Sequence, residues 1–192
     1  MKVIVASVPG AGKTTILRYV QKKIPEVKIV HEGDLILEIA RKEFGIKERD
    51  ELREKLTIDQ QRYVQGVVAE KISKVEDKLV FIDTHLAIKT PQGFFPSLSE
   101  KVVDIIKPDL IIFLEFLPED VIERRMKDPT RHRDVETEEQ IDDHQKVSKE
   151  FAFAVATHAE CPVEIVNLRY KEKEPFEHAI KGSEEIIRLI KR

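Results

Sequence analysis

Five short apolar, β-branched runs punctuate the chain: VIVAS at 3–7, VKIVH at 27–31, LVFID at 79–83, LIIFLEF at 110–116 and VEIVNL at 163–168. Their hydrophobicity is nearly continuous rather than alternating, as in strands covered on both faces of a parallel sheet. Between them the apolar positions take a helical period. Val64, Val67, Val68, Ile72 and Val75 recur along one face of a long helix. Residues 14–24, 34–44, 98–106, 118–127, 137–159 and 175–191 read as further helices. Strands alternating with helices predict right-handed βαβ crossovers and an α/β sandwich. No repeat, low-complexity tract or linker interrupts the 192 residues, so one domain over 1–192 is expected.

Three stretches break this rhythm. Residues 32–78 contain no strand and are long enough for a small helical insert. DPTRHRDVE at 128–136 is a polar loop with Pro129 as breaker, and THLAIKTPQGFFPSL at 84–98 is irregular around Pro91, Gly93 and Pro96. All three begin at or near the carboxyl ends of strands, where open parallel sheets bind ligands.

Composition narrows the partners. Charged residues make up 36%, against roughly 25% in typical domains, and with no Trp and one Cys this suits a heat-tolerant protein. A net charge of −3 argues against a polyanion binder, so nucleic acid is not an expected partner. The single Cys161 allows neither an internal disulfide nor a four-thiolate zinc site; it reads as a small buried apolar residue in a reducing cytosol. Strand-like residues begin at Val3, leaving no signal peptide, and the apolar runs are far shorter than the ~20 residues of a membrane span. A soluble cytoplasmic protein is expected, with no membrane partner.

The candidate chemistry starts at SVPGAGKTT, where the first strand hands over to a helix. Glycine loops there turn backbone N–H groups inward, and the helix N-terminus behind them attracts anions. Gly12, Lys13 and Thr14 fit the phosphate-binding pattern G-x-x-x-x-G-K-[ST]; Ser7 replaces its first glycine. If that position requires a positive φ, serine is strained there. Ser7, Val8, Pro9, Gly10, Ala11, Gly12, Lys13, Thr14 and Thr15 are therefore the candidate ATP loop, with Lys13 on the β and γ oxygens and Thr14 on Mg²⁺. Asp83, ending its strand, is placed to hold a magnesium-bound water. His85 could touch a phosphate or base, or simply brace its loop.

ERRMKDPTRHRD is the densest cationic segment, with Arg124, Arg125, Lys127, Arg131 and Arg133. Arginine forks suit phosphate oxygens, and the breaker-rich loop suggests a short lid over about 125–137. The plain alternative is a solvated face on which Asp120 pairs with Arg124. KERDELREKL at 47–56 carries Arg49 and Arg53 but also reads as an exposed helix. Asp34, just after Gly33, is a plausible N-cap. DDHQ at 142–145 lies in a helical pattern and reads as structural.

Together these motifs resemble the archaeal-type adenylate kinases over nearly the whole chain. The resemblance rests on SVPGAGKTT, Gly33–Asp34, RDELREKL, DTHLAIKTPQGFFPSL and RRMKDPTRHRDVETEEQIDDHQ. It implies a P-loop NTPase three-layer sandwich: a five-stranded parallel sheet of order 2-3-1-4-5, a helical monophosphate-binding insert and a short lid. It also implies reversible phosphate transfer from MgATP to AMP, commonly in a homotrimer. Lys13, Arg125, Arg131 and Arg133 would be catalytic, and Gly33, Asp34, Arg53, Thr84, His85 and Lys89 would hold AMP. Three features depart from the family: Ser7, Ser99 in place of a proline, and the pair His31–Glu32 before Gly33. The chemistry agrees, since a phosphate acceptor is already an anion and needs no general base. The alternatives are a kinase for another monophosphate, an adenylate-kinase-like ATPase of ribosome assembly, and an interaction protein with a decayed loop.

Overall fold

The computed structural model describes residues 1–128 and 136–191. Its main sheet uses β1 (Lys2–Ala6), β2 (Lys28–His31), β3 (Val80–Thr84), β6 (Leu110–Phe116) and β7 (Val163–Leu168). All four pairings are parallel and the order is β2-β3-β1-β6-β7, the expected one when only these five strands are counted.

Alternate residues of the central strands enter different cores, which explains their unbroken hydrophobicity. Val3 and Val5 of β1 join a cluster with Ile16, Leu17 and Val20 of α1 (Lys13–Lys23) and Ile186 of α8 (Glu177–Ile190). Ile4 and Ala6 face the opposite cluster, with Val64, Val68 and Ile72 of α4 (Ile58–Ser73) and Val102 and Ile106 of α5 (Glu100–Ile106). Helix α7 (Glu138–Ala159) serves both, through Ile141 on one side and Ala152 on the other. β6 is buried throughout, whereas β2 and β7, at the sheet edges, are only partly covered.

The strand-free stretch is α2 (Glu32–Phe44), α3 (Arg49–Lys55) and α4. A small cluster of Ala40, Ile46 and Leu56 packs this insert. Helix α4 starts at a capping box, with Thr57 Oγ1 accepting from the Gln60 backbone N–H at 3.2 Å and Gln60 Oε1 from that of Thr57 at 2.9 Å.

Several expectations are corrected. Residues 84–98 are not irregular throughout: β4 (Ala87–Thr90) and β5 (Gly93–Pro96) form an antiparallel hairpin. Asp34 is not an N-cap, because α2 begins directly after β2 and His31 takes that place. Cys161 is free but half-buried, lying beside the core just before β7. No helix among the described residues is long and apolar enough to cross a membrane.

Candidate active site

β1 lies at the centre of the sheet, between β3 and β6, where the connections reverse direction and a crevice opens. Its carboxyl end runs into the glycine loop. Gly10 and Gly12 have φ of 79° and 99°, which L side chains rarely adopt. A Cβ on Gly12 would find ordinary contacts at 3.6 Å from Arg124, so conformation rather than space requires glycine there. Ser7 is not among the residues of positive φ, which overturns the idea of strain at this position. It is buried, its Oγ donates to the Val8 carbonyl at 3.1 Å, and its own carbonyl accepts from His85 Nδ1 at 2.7 Å.

Asp83 gathers the loop. Register pairs it with Val5 on one side and His31 on the other. Its carboxylate forms an ion pair with Lys13, accepts from Thr14 Oγ1 at 3.3 Å, and accepts from His31 Nδ1 at 2.7 Å. Burial pulls Lys13 below the ordinary lysine range, against the upward pull of the Glu32 carboxylate. Glu32 itself is buried, accepts from Thr84 Oγ1, and is raised to about 7 by burial, with Thr84 and Lys13 opposing. His85 is held well below 6.5 by burial and by Lys13, so it is neutral and bound to its loop rather than poised as a base.

A second tier of cations approaches from α6 (Pro118–Met126). Arg125 donates from Nε to the Pro9 carbonyl at 2.8 Å and pairs with Glu136, which also holds Lys89 at 2.8 Å. Arg124 is no solvated partner of Asp120, which pairs instead with Lys171 at 3.1 Å. Arg124 donates to the Ala11 carbonyl at 2.6 Å, meets His178 Nδ1 at 2.5 Å, and lies 5.0 Å over the Phe116 ring. On the insert, Arg49 pairs with Asp34 and crowds Gly33, where a Cβ would sit 3.2 Å from its guanidinium.

One cleft of about 970 Å³ collects these groups. Its walls include the whole loop from Ser7 to Thr15, Gly33, Asp34 and Arg53 of the insert, and Asp83, Thr84, His85, Lys89 and Arg125. Arg131 and Arg133 lie outside the described residues. Glu32, Arg49, Arg124 and Phe176 also line the cleft; the first three lie in segments singled out from the sequence without a site role of their own, and Phe176 was not anticipated. Arg49 sat in a charge run that reads equally as an exposed helix face. Phe176 carries an unusual φ of 64° and stacks on Tyr19 with centroids 6.4 Å apart. Within residues 142–145 the Gln145 amide bonds both backbone groups of Phe116, at 2.9 and 3.0 Å, whereas His144, with Nε2 2.9 Å from the Ala87 carbonyl, also lines the cleft.

Thr14 and Asp83 offer alcohol and carboxylate oxygens, the hard donors that suit Mg²⁺.

Comparison with known proteins agrees. A family model described as an AAA domain matches residues 6–142. An adenylate kinase of Pyrobaculum aerophilum is 47% identical, covering 100% of this chain and 98% of the relative. Adenylate kinases of Pyrococcus abyssi and Methanopyrus kandleri are 38% and 34% identical, covering 97% and 98% of this chain and 95% and 98% of theirs. The chain belongs to the adenylate kinases. Adenylate kinase function and phosphotransferase chemistry come with that membership. A shikimate kinase from Acinetobacter baumannii, solved with shikimate, shares the fold at a TM-score of 0.63 and 17% identity, covering 98% of this chain and 92% of its own.

Proposed function

We propose that this adenylate kinase transfers the terminal phosphoryl group of ATP to AMP, reversibly giving two ADP. The observation that carries the reading is the cleft that joins the glycine loop to the insert, with cations on both walls. Two polyanions must be brought together in line, and such a reaction needs positioning and charge neutralisation more than covalent chemistry. ATP is assigned to Ser7–Thr15, and AMP to Gly33, Asp34, Arg53, Thr84, His85 and Lys89. Residues 32–78 are the monophosphate-binding insert of a single domain, and 125–137 its lid. Lys13 would leave Asp83 to follow the migrating charge, and Arg125, with Arg131 and Arg133, would neutralise it.

Thr14, and Asp83 through a water, would hold Mg²⁺, which when bound neutralises charge on the β and γ oxygens. The acceptor phosphate is already ionised, so the neutral His85 need not act as a base. Homotrimeric assembly and a cytoplasmic setting complete the proposal, following the family resemblance.

The test is ADP production from ATP with and without AMP and Mg²⁺. Dependence on both is expected. Lys13→Met should lower turnover by at least ~10³-fold, because an ammonium tracking transition-state charge is lost. ATP consumption that ignores AMP would sink the kinase reading, and Lys13→Met turnover within about threefold of the parent would sink the loop assignment.

A further inference from the structure

Two neighbouring arginines of α6 take hold of the glycine loop through alternate carbonyls. Arg125 Nε donates to the Pro9 carbonyl at 2.8 Å, and Arg124 Nη1 donates to the Ala11 carbonyl at 2.6 Å. Each carbonyl shares its peptide with the N–H of a glycine of positive φ, Gly10 in one case and Gly12 in the other. A planar trans peptide points its C=O and its N–H in opposite directions. Holding the Ala11 carbonyl therefore turns the Gly12 N–H away from Arg124, toward the side where successive loop N–H groups form an anion nest. Glycine does not set this orientation by itself. Without a Cβ it adopts either sign of φ readily, so an outside contact must select one.

Of the two arginines, only Arg124 is committed to this contact. Arg125 also pairs with Glu136, and the transfer reaction draws on its charge. The second arm of the Arg124 fork is held from behind: Nη2 meets His178 Nδ1 at 2.5 Å and donates to Glu172 Oε2 at 3.2 Å. His178 Nε2 lies 2.9 Å from the Tyr170 carbonyl, which only accepts, so Nε2 carries a proton and Nδ1 is free to accept from Arg124. Glu172 is fixed in turn by the His178 backbone N–H at 2.8 Å. With its side chain 24% exposed and both arms engaged, Arg124 is a brace rather than a mobile ligand.

We propose that Arg124 is a positioning residue: by holding the Ala11 carbonyl it sets the Ala11–Gly12 peptide so that the Gly12 N–H meets the β-phosphate of the donor nucleotide. A nest set before binding costs no reorientation when the nucleotide arrives. This rests on the ATP-loop assignment made above and adds what gives that loop its shape.

The experiment uses the fact that Ala–Gly occurs once in the sequence, at 11–12. Labelling alanine carbonyls with ¹³C and glycine amides with ¹⁵N thus yields a single carbonyl–amide NMR cross-peak, reporting both sides of this peptide. In the nucleotide-free parent one sharp peak is expected, and saturating MgADP should move it. Arg124→Met keeps an apolar side chain against the Phe116 ring and removes every donor. Its nucleotide-free peak should broaden or split, and KM for ATP should rise at least about tenfold, as for losing one hydrogen bond to a charged group. Turnover and KM for AMP should stay within about threefold of the parent, since the contact serves ground state and transition state alike. Arg124→Lys restores the charge without the fork, so its peak should differ from the parent's and KM for ATP should remain at least about threefold raised. An unchanged peak, or an unchanged KM for ATP, in Arg124→Met would overturn the proposal. So would parent-like behaviour of Arg124→Lys, which would make charge and not peptide orientation the cause; should Arg124→Met not fold, this arm decides alone. A parent peak that ignores MgADP would instead overturn the loop assignment beneath the proposal.

Discussion

Ser7 stands where the phosphate-loop pattern has a glycine, but the two glycines that bend the loop to positive φ are Gly10 and Gly12. Since Ser7 does not share that backbone region, Ser7→Gly relieves no strain. It removes the Oγ bond to Val8 and adds unfolded-chain freedom, so it should be neutral or destabilise by up to about 1 kcal/mol. ATP affinity should stay within about threefold, because the Ser7 carbonyl that braces His85 is backbone and survives the change. Urea unfolding and nucleotide titration of Ser7→Gly check both; a clear gain in stability would revive the strain argument. Lys13, Thr14 and Asp83 were legible as individual site residues, since their motif is local. Their mutual pairing was not, because it joins a loop to a strand end that only the sheet register brings alongside.

Three elements meet at Glu136: the hairpin through Lys89, helix α6 through Arg125, and the chain entering α7. Burial pushes this carboxyl up, yet hydrogen bonds from Lys89 and Arg125 outweigh it and hold the group below its ordinary 4.5. A depressed carboxylate stabilises the fold fully above its unfolded pKa and loses that contribution as pH falls through the lowered one. Glu136→Gln should therefore cost about 2 kcal/mol at pH 7, the Arg125 side being well buried and the Lys89 side discounted for exposure. The gap between parent and variant should close in acid, which urea titrations at both pH values would read; a gap independent of pH would mean the carboxylate charge is not what matters. The same variant frees two cleft cations and should lower KM for AMP a few-fold, in steady-state assays. The hairpin that supplies Lys89 escaped the sequence reading because its strands are only four residues long, with Pro91 in the turn between them and Gly93 and Pro96 in the second strand. Periodicity needs a longer window than that.

Across the whole molecule the high charge content is organised rather than scattered. Glu115, near the end of β6, pairs with Lys149 at 2.7 Å and Arg169 at 3.1 Å; Arg169 continues to Asp142 at 2.6 Å, and Asp142 to Lys146 at 3.2 Å. This network ties β6 and α7 to the segment following β7, and such networks gain weight as temperature rises. Glu115→Gln leaves two cations without their shared partner and should lower the unfolding midpoint by roughly 4–8 °C, for about 2 kcal/mol in a chain of this size. Calorimetry at low and high salt provides the check: the loss should shrink as salt screens the pairs, and a midpoint equal to the parent's would make the network ornamental.

What the sequence by itself determined was whatever depends on near neighbours. The unbroken apolar runs of the central strands required cover on both faces, the helical periods set the alternation, and the glycine–lysine–threonine loop announced phosphate chemistry from nine consecutive residues. Tertiary structure alone decided which distant groups meet. Arg124 reads as one more cation on a helix until packing carries it to the Ala11 carbonyl, 113 residues away. Gln65 reads as a polar position on an amphipathic helix until Pro96, 31 residues on, claims its nitrogen and leaves the oxygen without a partner. Composition and spacing report only which groups a chain owns. Their pairing depends on register and packing across the sheet, and so does the chemistry the cleft can perform.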